Sequence, residues 1–291
     1  MSVDWSAVSA QLSFASTGCE DHPVSHPVTA EIPIGSVDVP EVVETLAGSD
    51  TITPVWRNDL GGLTFRLAGE AVRYAKWVAA GTPEIDLCGE EERLAWAQQW
   101  VTVPRVLDHG ADDEGAWLVT AEVPGRSAVD PRWIAEPATA AAAIGAGLRR
   151  LHDCIPVDQC PFDWGVESRL VRADERLAEG QGPAAWSSEY RHLDVVKARA
   201  RIGDPPAIDR LVVCHGDACV PNTLLHDDGR FAAHVDLGSL GVGDRWADLA
   251  VAAWSTEWDY GPGYDGILYE AYGIAPDPER ISYYRLLWDM A

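Results

Sequence analysis

The 291-residue chain is short of basic residues: 22 Lys and Arg stand against 46 Asp and Glu, a formal net charge of −24. Such a surface repels nucleic-acid phosphates and anionic lipid, which argues against both as partners. No apolar run approaches the roughly 20 residues that span a bilayer. The opening MSVDWSAVSAQLS has no basic segment ahead of an apolar one, so no secretory signal is expected. Cys19, Cys88, Cys154, Cys160, Cys214 and Cys219 form no C-x-x-C pair and no metal-like spacing with histidine. Reduced thiols in a cytoplasmic protein are the expectation. What is plentiful is core material: 47% hydrophobic residues and 13 Trp exclude a disordered chain. The acidity itself reads two ways, as an ordinary soluble surface or as an attraction for a small polycation, and charge alone favours the first.

Residues 1–40 are rich in Ser, Val, Pro and Asp without periodicity and read as an N-terminal extension, partly disordered. PEVVETLAG predicts a short helix opened by Pro40 and stopped by Gly48. TITPVWRNDLGGLTFRLAGEAVRYAKWVAAG then reads as three strands joined by Gly turns. A helix over EIDLCGEEERLAWAQQW and strands at VPRVLDHG and EGAWLVTAEV follow. Beyond a Pro-Gly hinge near residues 121–126 the pattern becomes helical, with helices from Pro137, around 166–179 and 186–199, over DRWADLAVAAWSTEW and over PERISYYRLLWDM. The only later strands expected are a short pair around LVVCHGD and FAAHVDLG. The layout is α+β: a β-rich lobe over 41–122 with one helix, and a larger, mainly helical lobe over 123–291.

Two short strands, one ending at Asp217 and one at Asp236, would pair as a hairpin-like unit across Asn222 and bring all three side chains to one edge. Magnesium takes hard oxygen ligands, few of them from protein. Asn222 and Asp236 suit that task, leaving Asp217 to orient a hydroxyl and accept its proton. A bare Asp-x4-Asn is common by chance. The conjunction of His-Gly before it, apolar runs on both sides and Asp-x-Gly after a second run outweighs the bland reading of turn residues.

In the first lobe, Lys76 lies in the alternating strand VRYAKWVA, where pattern alone favours a solvated outer face. An acid on the next helix shifts that balance. With Leu94 at the centre of the inner face, Glu90 and Glu91 both flank it while Glu92 points away, and periodicity does not choose between the two. Gly61 and Gly62, in the turn NDLGGLT, would let backbone amides approach phosphates, though Gly-Gly also makes an ordinary hairpin turn.

CHGDACVPNTLL, VDLGSLGVGDRWADLA, DQCPFD and YGIAPDPERISYYRLL together resemble the aminoglycoside phosphotransferases, most closely those of the 3′ type, from about residue 50 onward. That resemblance implies the bilobal fold of protein kinases, with ATP (or GTP) and Mg2+ as cofactors. It implies Asp217 as catalytic base, Asn222 and Asp236 as magnesium ligands, Lys76 as the phosphate-holding lysine and Glu90 as its partner. Ala121 and Val123 would meet the adenine edge. Asp163, Glu257, Asp259, Asp289 and the terminal carboxylate of Ala291 would receive the ammonium groups of the polycationic drug, although an ordinary surface acid is the competing reading for each. Ser239 stands where the family commonly has Arg after Asp-x-Gly. Arg245 could partly substitute, but its place in the motif suggests a structural ion pair. The expected activity is phosphorylation of an aminoglycoside hydroxyl, 3′ before 3″ (streptomycin) or another small cationic alcohol. A weakly catalytic protein that sequesters the drug is the alternative from another class.

Overall fold

The computed structural model describes residue 33, residues 35–58 and residues 60–291; the expectation of a partly disordered extension over residues 1–40 lies, for residues 1–32 and 34, outside the described residues. Helix α1 (Glu41–Ala47) leads into strands β1 (Thr51–Arg57), β2 (Leu63–Ala68) and β3 (Val72–Ala79). After helix α2 (Leu87–Ala97) come β4 (Val106–Ala111) and β5 (Gly115–Ala121). The five strands form one antiparallel sheet in the order β1-β2-β3-β5-β4. In β2 the alternation is strict, with Leu63, Phe65 and Leu67 buried and the residues between them half-buried, as one covered sheet face requires. Val37 and Val39, ahead of α1, also pack on that sheet.

Asp86 caps α2 by accepting the Gly89 amide at 2.9 Å. The helix buries Leu87, Glu90, Leu94 and Ala97, a single face at helical spacing. A glutamate therefore sits on the inner face, where it needs a cation.

The rest of the chain is mainly helical: α3 (Pro131–Ile134), α4 (Pro137–Cys154), α5 (Val166–Ala178), α6 (Val195–Ile202), α7 (Trp246–Tyr260), α8 (Asp265–Tyr272) and α9 (Pro278–Met290). The helix expected over 186–199 begins only at Val195, capped by Asp194, and residues 186–194 are turns. Gly145 lets α4 and α8 meet closely; a β-carbon there would stand 2.2 Å from the carbonyl oxygen of Leu268. Helix α7 is buried without a break from Trp246 to Thr256, which places it at the centre of this half.

Five short strands lie among the helices, not two: β6 (Arg126–Ser127), β7 (Leu211–Cys214), β8 (Thr223–Leu225), β9 (Phe231–His234) and β10 (Gly241–Asp244). The expected pairing of the segments that end at Asp217 and Asp236 is corrected. β7 pairs with β10, while β9 pairs with β8 and β8 with β6. Each apolar run was visible in the sequence, but partners this short are chosen by the surrounding core. Leu151, Ile155, Val213, Leu237 and Leu240 form one apolar cluster with Val78, Leu87, Leu94 and Leu118, so a shared core joins the sheet to the helical half. Among the described residues no helix is long and apolar enough to cross a membrane.

Candidate active site

β3 carries Lys76 across the sheet from Leu118 of β5 and Thr64 of β2. Its ammonium lies 2.7 and 2.8 Å from the two carboxylate oxygens of Glu90. Helical periodicity left Glu90 and Glu91 equivalent; the tertiary packing buries Glu90 to 4% exposure against Lys76. Lys76 also lies 2.9 Å from Asp236, which follows β9 in the helical half. Burial alone would lower the lysine's pKa, but Asp236 and Glu90 overcome it and hold the ammonium well above its ordinary range. Burial pushes the Glu90 carboxyl up, opposed by Lys76. Burial also acts to raise Asp236, and there the ammonium of Lys76 wins and keeps its pKa low. Asp236 sits at φ +63, a left-handed conformation that Asp tolerates better than most residues.

The loop after β7 brings Asp217 and Asn222 to the same place. The Asn222 amide nitrogen donates to the backbone oxygen and to Oδ2 of Asp217, both at 3.0 Å. That commits the nitrogen and leaves the amide oxygen as the atom able to ligate. Oδ1 of Asp217 is buried with no hydrogen-bond partner among the described residues. Burial and then the nearby charge of Asp236 raise the Asp217 pKa, a combination that favours proton acceptance at neutral pH. The oxygen set of Asn222 and Asp236, the latter with a side chain 46% exposed, fits a hard divalent cation such as magnesium. Asp217, Asn222 and Asp236 thus converge although their strands do not pair with one another as expected.

A buried network holds the loop. Asp248 of α7 accepts the amides of His215 and Gly216 at 2.6 and 2.9 Å and faces Nε2 of His152 at 2.9 Å. Burial alone would raise this carboxyl, but His152, then the His215 ring and the Gly216 amide, hold it below the usual range. His215 is fixed in turn, with Nε2 at 3.0 Å from the Val235 carbonyl and Nδ1 facing the Asp217 amide at 3.3 Å. Motif and spacing gave Asp248 no role. Its signal was present: a lone acid in the otherwise apolar run WADLAVAAW must meet internal donors if the helix is buried.

Several expected site residues have other partners. The amides of Gly61 and Gly62 bond within the turn, to the backbone oxygen of Asn58 at 3.0 Å and its Oδ1 at 2.7 Å, so they are not presented to a phosphate. The Ala121 amide, at the end of β5, donates to the Arg105 carbonyl, and Val123 follows it at the hinge. Asp163 is exposed and accepts the Gly165 amide. Glu257 pairs with Arg285 at 3.0 Å. Asp289 is buried and takes the amide and hydroxyl of Ser187. The Ala291 oxygen accepts from Arg176 at 3.0 Å. Asp259 accepts from Ser255 at 3.0 Å, and burial raises its pKa to about 6. Arg245 is the structural ion pair its position suggested, bound to Asp209 at 2.7 Å. Ser239 packs its backbone on Gly216, where a β-carbon would stand 2.1 Å from the Ser239 oxygen.

Comparison with known proteins places the chain in a family. The family model APH, described as the phosphotransferase enzyme family, matches residues 72–284. An aminoglycoside 3′-phosphotransferase of Streptomyces fradiae is 36% identical over 252 residues, covering 79% of this chain and 91% of that one. A streptomycin 3″-kinase of Streptomyces griseus is 39% identical over 249 residues, covering 79% and 88%. The structure of aminoglycoside phosphotransferase APH(3″)-Id from Streptomyces rimosus superposes with a TM-score of 0.70 at 30% identity, over 84% of this chain and 94% of that one. The same Streptomyces rimosus protein has also been solved with ADP and streptomycin. The fold is the bilobal, protein-kinase-like α+β architecture expected from the motifs.

Proposed function

The chain belongs to the phosphotransferase enzyme family, and on that ground we propose that it transfers the γ-phosphoryl group of ATP to a hydroxyl of an aminoglycoside. The single observation that carries the reading is the double contact of Lys76, with Glu90 at 2.7 Å and Asp236 at 2.9 Å, beside the Asp217–Asn222 pair. A lysine held in this way has its charge fixed for the phosphates of a nucleotide.

Asn222 and Asp236 would hold Mg2+, which would supply positive charge against the charge on the transferred phosphates. Asp217, fixed by the Asn222 amide, orients the acceptor hydroxyl and takes its proton at Oδ1 or Oδ2. Glu90 keeps Lys76 from swinging away, and Asp248 fixes the loop that aims Asp217. Catalysis on this reading is positioning and electrostatics, with no covalent step on the protein. The family cation that Ser239 replaces has no substitute in Arg245, which is bound to Asp209.

The Streptomyces fradiae and Streptomyces griseus relatives, a 3′-phosphotransferase and a streptomycin 3″-kinase, support the same class of cationic alcohol, and the acidic surface favours its capture. Release of ADP from ATP, or of GDP from GTP, measured against a panel of kanamycin, neomycin and streptomycin, tests the reading. Activity on kanamycin or neomycin but not streptomycin assigns the 3′ hydroxyl. Calorimetric drug binding with no ADP above background would turn the assignment to a sequestering protein. Wild-type phosphorylation by Asp217→Ala would remove Asp217 from the mechanism.

A further inference from the structure

We propose that Ser255 is a positioning residue that ties the Asp217 loop to a cation-binding carboxylate, Asp259, so that a substrate ammonium seated on Asp259 sets the loop for transfer. The inference rests on the phosphotransferase reading given above and adds to it a link between drug capture and the catalytic loop.

Ser255 and Asp259 stand one turn apart on α7 and share a face. The Ser255 hydroxyl donates to Asp259 at 3.0 Å and accepts the Val220 amide at 2.9 Å. Val220 opens the short 3-10 turn Val220–Asn222, which follows Asp217 and ends at Asn222. Ser255 is 1% exposed, so no solvent competes for its hydroxyl. Among the described residues, Cys219 of the loop and, on its own helix, Ser255 and Tyr260 interact with Asp259. None of these is a cation. The Cys219 thiol is coupled electrostatically to both Asp217 and Asp259, so it stands between the two aspartates.

The other carboxylates assigned to drug capture are less open to a new cation. Arg285 holds Glu257, Ser187 fills Asp289 and Arg176 holds the terminal oxygen. Asp163 accepts a local amide and lies exposed on its loop. Asp259 alone in this set is bonded directly to a residue that also holds the catalytic loop.

The coupling is directional. A hydroxyl has one proton, so when Asp259 is ionised Ser255 must donate to it, and a lone pair is aimed at the Val220 amide. When Asp259 is protonated it can donate to Ser255 instead, and that orientation is no longer imposed. An ammonium group seated on Asp259 holds the carboxylate ionised and locks the arrangement.

The test reads the Val220 amide nitrogen by NMR in the ligand-free chain between pH 5 and pH 7.5. The expected result is a transition near pH 6 in the wild type that is missing from Asp259→Asn. With neomycin as acceptor, Ser255→Ala should lower kcat about tenfold or more, the scale of a small misplacement of reacting groups. Its KM for ATP should stay within about twofold, because the hydroxyl does not touch the nucleotide side. The acidic limb of its kcat profile should move to higher pH, since the lost hydroxyl stabilised the carboxylate, and Ser255→Thr should restore both readings. A Val220 amide that is flat in the wild type, or a transition that survives Asp259→Asn, overturns the coupling. Should Ser255→Ala fail to fold, the Asp259→Asn titration still decides. A wild type that releases no ADP with any aminoglycoside would sink the functional reading, while the amide titration would still show whether Asp259 and the loop are linked.

Discussion

Lys76 lies 2.9 Å from Asp236, a contact that joins the central strand of the sheet to the turn after β9 in the helical half. The chain has only two lysines, and this one is held by two carboxylates at the junction of the lobes. The short contacts have consequences for stability.

Replacing Lys76 by Ala leaves the 4%-exposed Glu90 without its cation. Breaking one side of a buried pair costs about 3–5 kcal/mol, so the variant should unfold at markedly lower denaturant and release no ADP. Lys76→Met combined with Glu90→Leu should recover most of the stability and none of the turnover. Urea melts of the two variants check this.

Asp248 of α7 answers three buried groups from outside its helix, His152 and the His215 and Gly216 amides. Asp248→Ala strands two buried amides and His152, and an expected loss of about 3–5 kcal/mol should appear with a collapse of kcat. Its folded pKa is depressed, so its contribution is complete above the unfolded Asp value near 4 and is lost as pH falls through the lower folded value. The stability gap between wild type and Asp248→Asn should therefore close only in acid, which urea melts over pH 2–6 will read.

Gly216 combines φ +87 with a backbone oxygen where its β-carbon would go. Gly216→Ala should cost more than the about 1–2 kcal/mol of a left-handed residue, because the loop at Ser239 must also move. The Asp217 geometry moves with it, so turnover should fall together with Tm. A variant with wild-type Tm and kcat would show that the loop yields freely.

Asp289 presents the opposite linkage to Asp248. Burial raises its pKa to about 6, although the Ser187 amide and hydroxyl oppose the shift. Its favourable contribution is fully present below the unfolded value near 4 and is lost as pH rises through 6. Asp289→Asn should therefore gain on the wild type between pH 4 and pH 7 by on the order of 2 kcal/mol. Paired thermal melts across that range give the sign directly.

Local pattern was enough for the elements of the sheet, the Asp86-capped α2 and the apolar α7. Strand alternation, helix spacing and caps depend on neighbours a few residues away. The same holds for the clustering of Asp217 and Asn222, five positions apart in one loop. Pattern failed where partners are remote. β7 and β9 were expected to pair and instead chose β10 and β8, because strands of three or four residues take their register from the core around them.

By itself the sequence determined the fold class, the acidic composition and the candidate polar groups of the site, since these follow from composition, spacing and motif. Only the tertiary structure decided which of those groups are free to act. It set Glu90, which helix periodicity alone could not choose over Glu91, against Lys76, closed the Gly61 and Gly62 amides on Asn58, filled Glu257 and Asp289, and left Asp259 joined through Ser255 to the Asp217 loop. The physical reason is that a charged or polar group's role depends on which donors and acceptors surround it, and packing brings those from distant parts of the chain.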